Sequence, residues 1–168
     1  MRESRRSTVR GMDRSSRTDG LARQESLGYQ VNHLARLLAQ ALAADIAPYG
    51  VVPGQFAQLL ALYEHDGVSQ RELCDLVHIE QATMANTLRR MERDGLVHVA
   101  PDPNDRRRIQ VHLTDHAKAL QHDLVAAART INASATDGLT DEEKITYLRL
   151  TARIIENLEA SAAQTTED

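Results

Sequence analysis

Residues 69–114 read SQRELCDLVHIEQATMANTLRRMERDGLVHVAPDPNDRRRIQVHLT, and the architecture follows from how this stretch is parsed. Ser69-Gln70-Arg71-Glu72 is a capping box: the Ser69 hydroxyl can accept the free amide three residues on, and Glu72 can reach back to the Ser69 amide. A short helix follows, burying Leu73 and Leu76, with Cys74 a further candidate for its inner side. After Val77-His78-Ile79 a second helix begins near Glu80 or Gln81 and runs to about Arg93. Its apolar stripe is Met84, Leu88 and Met91, which places Gln81, Thr83, Asn86, Thr87 and Arg90 at or near the opposite, solvent-facing side. Gly95 ends it. The period then switches from that of a helix to two. Leu96-Val97-His98-Val99 reads as a strand and Ile109-Gln110-Val111-His112-Leu113 alternates clearly. The turn-rich segment between them closes on Arg106, Arg107 and Arg108, giving a hairpin with a charged tip.

Two short helices joined by a tight turn, then a two-stranded hairpin, make a winged helix-turn-helix. The expected fold class is mainly α with a small β-hairpin wing. The second helix of such a pair can enter the major groove, which is wide enough to admit it. Asn and Gln can bond bidentately to adenine, Thr can pack on the thymine methyl, and Arg can take guanine or phosphate. An arginine-rich hairpin tip suits a narrow minor groove, where negative potential is concentrated.

Upstream, Leu27, Val31, Leu34, Leu38, Ala41 and Leu42 recur at helical spacing up to about Ala47, ahead of Pro48. Tyr49–Val52 is a connector. Pro53 suits the first turn of a helix burying Phe56, Leu59, Leu60 and Tyr63, which stops at His65-Asp66-Gly67. Past the hairpin, Thr114 is a plausible N-cap for a long helix through Ala117, Leu120, Leu124, Ala128 and Ile131. Thr140-Asp141-Glu142-Glu143 is a second capping box, opening a sixth helix with Ile145, Leu148, Ile155 and Leu158.

The 168 residues are 42% apolar and 26% charged but only 3% aromatic, with no Trp and one Phe, which disfavours an all-β fold and fits one helix-rich domain. No run approaches the roughly 20 apolar residues of a membrane span, and the N-terminus lacks the apolar core of a signal peptide, so a cytoplasmic protein with no membrane partner is expected. Residues 1–25 are read as a disordered basic tail, and Met12 is an alternative start. The net charge of −4 looks adverse to a nucleic-acid partner, but its distribution matters more than its sum. Residues 1–20 carry +3, residues 21–66 carry −2, residues 67–114 are neutral and residues 115–168 carry −5. In the neutral segment the arginines gather in two clusters, Arg89, Arg90 and Arg93 on the helix and Arg106–Arg108 on the wing.

The same residues resemble the DNA-binding core of MarR-type bacterial transcriptional regulators. The likeness rests on the Ser-Gln-x-Glu-Leu helix start, the Ala-Thr-Met-Ala-Asn-Thr-Leu helix, Glu92-Arg93-Asp94-Gly95-Leu96-Val97, and a wing running from Asp102 through Asp105-Arg106-Arg107 to Val111-x-Leu113-Thr114. It covers roughly residues 26–160. The resemblance implies a homodimer whose N- and C-terminal helices interlock, with dimerisation helices at 26–48 and 115–165 in a domain spanning 26–165. The DNA-binding lobe is then 53–114, with the helix-turn-helix at about 69–93 and the wing at 96–113. It further implies double-stranded DNA as partner, with contacts from Gln81, Ala82, Thr83, Asn86, Thr87 and Arg90. The wing contact falls on Arg106 or Arg107, held by Asp105. Many members have Arg where Asn86 stands and Asp where Arg89 stands, so base preference does not carry over.

Members of that family commonly bind a phenolic or otherwise amphipathic effector between the dimer helices and the DNA-binding lobe. Tyr29, His33, Phe56 and Tyr63 are the candidates for such a pocket, or they are plain core, which is preferred. The expected role is a repressor released by its effector. Two alternatives stand beside it: a winged-helix module that binds another protein, and a redox-responsive regulator acting through Cys74. For Cys74 a packed, inert thiol is preferred, because Glu72 and Asp75 flank it. The histidines show no metal-ligand spacing, and neither a phosphate loop nor a nucleophile motif is present, so no metal, no cofactor and no enzymatic activity are expected. Glu142 and Glu143 are explained by the helix N-terminus, which favours negative charge.

Overall fold

The order of elements in the computed structural model is α1 (Leu27–Ile46), a 3-10 turn (Ala47–Tyr49), α2 (Pro53–Glu64), β1 (Val68–Ser69), α3 (Gln70–Val77), α4 (Gln81–Arg93), β2 (Val97–Pro101), β3 (Ile109–Leu113), α5 (Asp115–Ala135) and α6 (Asp141–Thr166). The structure describes residues 22–102 and 109–166. Among them, six helices and a small antiparallel sheet give the mainly helical winged helix-turn-helix class read from the sequence. The chain divides into two compact units, Met1–Arg36 and Leu37–Asp168, with the boundary inside α1.

In the first unit a turn at residues 22–25 leads into α1, whose start is tied by the Tyr29 amide donating to Ser26 Oγ at 3.3 Å. The Tyr29 and His33 rings sit one helical turn apart with centroids 6.1 Å from each other, and the Arg23 guanidinium lies 5.9 Å from the Tyr29 centroid. Both Tyr29 and His33 are exposed.

The second unit carries the core. Ile46, Leu59, Leu62, Leu73, Met84, Met91, Leu96, Val111 and Leu124 are fully buried, so α2, α3, α4, the sheet and α5 close on one apolar centre. Each start signal read from sequence works locally. Pro53 opens α2, where it gives up no hydrogen bond because the first helical amides have no partner in the helix. The Glu72 amide donates to Ser69 Oγ at 3.2 Å while the Ser69 amide donates to Glu72 Oε2 at 2.7 Å, completing the capping box of α3. Thr114 caps α5, accepting from the Ala117 amide at 3.1 Å, and Thr140 with Glu143 repeats the box at α6.

Three features depart from expectation. The hairpin is joined by a third strand: β1 pairs with β3 antiparallel, Val68 opposite Val111 and Ser69 opposite Gln110, giving the order β1-β3-β2. Two residues are too few to show a period of two, and Ser69 reads first as a helix cap. Leu76 is 44% exposed rather than buried. In α3 the inward direction is centred between Leu73, Cys74 and Val77, and Leu76 falls on the flank at 100° per residue. Thr87, assigned to the solvent face of α4, is only 2% exposed. It lies three residues from Met84 and four from Met91, squarely on the apolar stripe.

The wing is anchored at its root. Gly67 takes φ +78, and a Cβ there would stand 2.8 Å from the His112 ring, so the turn after α2 depends on glycine. The Gly67 amide donates to Val111 O at 3.1 Å. Across the hairpin, His98 and His112 are paired in register and their rings stack at 5.4 Å.

Candidate nucleic-acid interface

The second helix of the pair, α4, buries Met84, Thr87, Leu88 and Met91 and leaves Gln81, Ala82, Thr83, Asn86, Arg89 and Arg90 exposed. Five of the six helix positions expected from sequence therefore share one open face. The sixth, Thr87, lies behind it, and its hydroxyl is engaged within the helix. It donates to Thr83 O at 3.0 Å and accepts from Arg90 Nη2 at 3.4 Å. Thr87 thus steadies a cation on the open face instead of reaching outward itself.

Arg89 belongs to the face, although the sequence reading leaves it out of the contacts. It sits three residues beyond Asn86 and is exposed, and helical spacing alone is enough to place it there. Arg90 and Arg93 occupy the last turn, where cations also interact favourably with the helix dipole. The start of α4 is tied to α3 by Gln70 Nε2 donating to Gln81 O at 3.3 Å. No carboxylate falls among the residues from Gln81 to Arg90, so the stretch offers donors, amides and cations to a polyanion. Asp105, Arg106 and Arg107 lie outside the described residues.

The candidate effector residues fall into different surroundings. Phe56 is buried in the core and Tyr63 packs against it from two turns along α2. The Tyr63 hydroxyl donates to Ala117 O at 2.8 Å, and burial pushes its pKa up to about 12, so it stays a neutral donor. An open groove of about 430 Å³ runs between the end of α1 and α5, lined by Asp45, Pro48, Tyr49, Asp123 and Thr130 among others. Neither Phe56 nor Tyr63 lines it. Cys74 is buried, and burial together with the Asp75 charge pushes its thiol pKa up, which holds it in the unreactive protonated form. Among the described residues no group of three or more His, Cys, Asp or Glu is placed to hold a metal ion, and no helix is long and apolar enough to cross a membrane.

A helix-turn-helix whose second helix keeps a cationic, amide-bearing face open beside a hydrogen-bonded wing defines a winged-helix DNA-binding transcriptional regulator. Residues 49–108 match the profile of the MarR family. The chain is 33% identical over 132 residues to the HTH-type transcriptional repressor NicR of Pseudomonas putida, covering 76% of this chain and 84% of that protein. A MarR transcriptional regulator from Methanosarcina mazei superposes with a TM-score of 0.71 at 28% identity, covering 79% of this chain and 96% of that one. BpsR of Bordetella bronchiseptica, whose DNA binding is regulated by 6-hydroxynicotinic acid, superposes with a TM-score of 0.73 at 25% identity, covering 80% of this chain and 96% of that one. The chain belongs to the MarR family.

Proposed function

We propose that this regulator is a homodimeric repressor of a pseudo-palindromic operator, released by a small-molecule effector. The observation that carries the DNA reading is the face of α4, where Gln81, Thr83, Asn86, Arg89 and Arg90 stand open on a helix whose other side is locked into the core. Gln81 and Asn86 supply the amides that read adenine, and Arg89 and Arg90 the cations for guanine or phosphate. Arg106 or Arg107, with Asp105 orienting it, takes the minor groove beside the helix.

The dimer is supported by α6. None of its described residues is buried, yet it carries Ile145, Leu148, Ile155 and Leu158, each largely exposed, at spacings that align along one side. A 26-residue helix with such a stripe is unfavourable in water unless another surface covers it. A second copy, with residues 26–48 and 115–165 interlocking, covers it and sets two recognition helices roughly 34 Å apart, one turn of duplex. The effector is supported by BpsR, whose DNA binding responds to 6-hydroxynicotinic acid. Tyr29 and His33, which are exposed, are the residues proposed to meet it, while Phe56 and Tyr63 serve the core. Repression, rather than activation, is supported by the relative NicR, itself named a repressor.

Selection of duplexes from a random pool by the purified protein, followed by footprinting, tests this reading. A protected inverted repeat with half-sites one turn apart is the expected result, with binding that weakens steeply as salt rises. Asn86→Ala and Arg107→Ala should each weaken it. Enrichment of no sequence, or indifference to both substitutions, would replace it with a winged-helix module that binds protein.

A further inference from the structure

One buried amide joins the start of α2 to the end of the recognition helix. Gln55 sits in the first turn of α2 and is 2% exposed. Its Oε1 accepts from the Val52 amide at 3.3 Å, which fixes the amide's orientation and aims Nε2 the other way. There Nε2 donates to Asp94 Oδ2 at 2.8 Å, across 39 residues of sequence. Asp94 is the C-cap of α4, its own amide donating to Arg90 O at 2.9 Å. Its other carboxylate oxygen accepts from Arg93 Nε at 3.0 Å. The Arg93 and Gln55 bonds hold the carboxyl below its ordinary range, so it is ionised at neutral pH.

We propose that Gln55 is a positioning residue for DNA reading, and that its bond to Asp94 sets the angle at which the exposed face of α4 meets the groove. This rests on the DNA-binding reading above. Met84, Leu88 and Met91 bury one side of α4 but are apolar and non-directional, so they resist separation better than they resist tilting. Directional restraint comes from the ends, through Gln70 on Gln81 O and through Gln55 on Asp94. A 13-residue helix is about 20 Å long, so a small tilt at its end displaces Asn86 and Gln81 by a sizeable part of a hydrogen-bond length. The Arg93 contact shows the second consequence. Asp94, once held by Gln55, directs a guanidinium in the last turn of the same helix.

The role separates from simple stability by exchanging the bonding pattern. Gln55→Glu sets two carboxylates against each other and breaks the bond. Asp94→Asn alone keeps an acceptor for Gln55 but turns its NH2 toward Arg93 Nε and gives up that contact. The double variant Gln55→Glu with Asp94→Asn restores it in reverse, the introduced asparagine amide donating to the new carboxylate while the Val52 amide keeps its acceptor. Binding is measured at pH 8 to a duplex selected by the wild-type protein and to a scrambled duplex of the same composition, with thermal unfolding alongside. Gln55→Glu should lose about tenfold in the ratio of selected to scrambled affinity, Asp94→Asn should keep a ratio near wild type while binding both duplexes more weakly through the lost Arg93 contact, and the double variant should regain most of the ratio. If Gln55→Glu lowers the melting temperature with the ratio unchanged, or if the double variant is no better than Gln55→Glu, the positioning role is wrong. A wild-type protein that cannot tell the two duplexes apart overturns the DNA reading itself, and this inference with it.

Discussion

The Asp66 carboxylate accepts a hydrogen bond from the Leu113 amide at 2.8 Å, joining the second residue after α2 to the last residue of the wing. The other oxygen stands 3.0 Å from Lys118 Nζ on α5. One side chain thus ties three elements together at the root of the wing. Burial works against ionising this carboxyl, but the Leu113 and Lys118 bonds and the nearby Lys118 and His112 charges outweigh it, so its pKa falls below the ordinary 3.8.

Asp66→Ala should therefore lower the unfolding free energy by about 1–3 kcal/mol at neutral pH, since it leaves the Leu113 amide without its partner. Because the folded pKa is depressed, the stabilisation is present in full above the unfolded carboxyl value of about 4 and disappears as pH falls through the lower folded value. Urea unfolding of both proteins from neutral pH down to strong acid should show the gap closing only in that acid window. A gap that persists unchanged there assigns the effect to packing instead.

Thr87→Val keeps the volume of a buried side chain and deletes the hydroxyl that meets Arg90. DNA affinity should fall several-fold, corresponding to about 1 kcal/mol, with base preference retained. Arg90→Ala should cost more, and Thr87→Val added to it should cost little further, because both act through one cation. Titrations with a labelled duplex decide the matter, and full additivity of the two changes would break the link.

Leu148→Arg combined with Ile155→Arg places charge in the apolar stripe of α6. The protein should remain helical by circular dichroism yet sediment as a monomer, and its affinity for an inverted repeat should drop by more than about tenfold, since two half-sites no longer bind as one unit. A dimer that survives both substitutions would put the interface elsewhere.

Cys74 should behave as a small buried hydrophobe. A thiol-reactive disulfide reagent should label it no faster than the protein opens, and peroxide should leave DNA binding unchanged. Peroxide-sensitive binding that Cys74→Ser abolishes would reinstate a redox role.

The caps at Ser69, Thr114 and Thr140 and the stripe Met84, Leu88 and Met91 are legible in the sequence because each signal is complete within a few residues of chain. The wing strands are legible for the same reason. Thr87 is misplaced by its chemistry, which suggests water, whereas its angle on the helix points inward. Arg89 escapes a reading by motif, although its spacing from Asn86 puts it on the face.

The helix order, the hairpin and the two arginine clusters that a net charge of −4 conceals all follow from the chain's own residues. Folding in three dimensions adds what no local signal carries: Thr87 stands behind Arg90, β1 completes the sheet, Asp66 binds the wing root and Gln55 reaches Asp94. Local backbone preferences are written within a turn or two, while a polar side chain finds its partner only when packing brings a distant segment within about 3 Å.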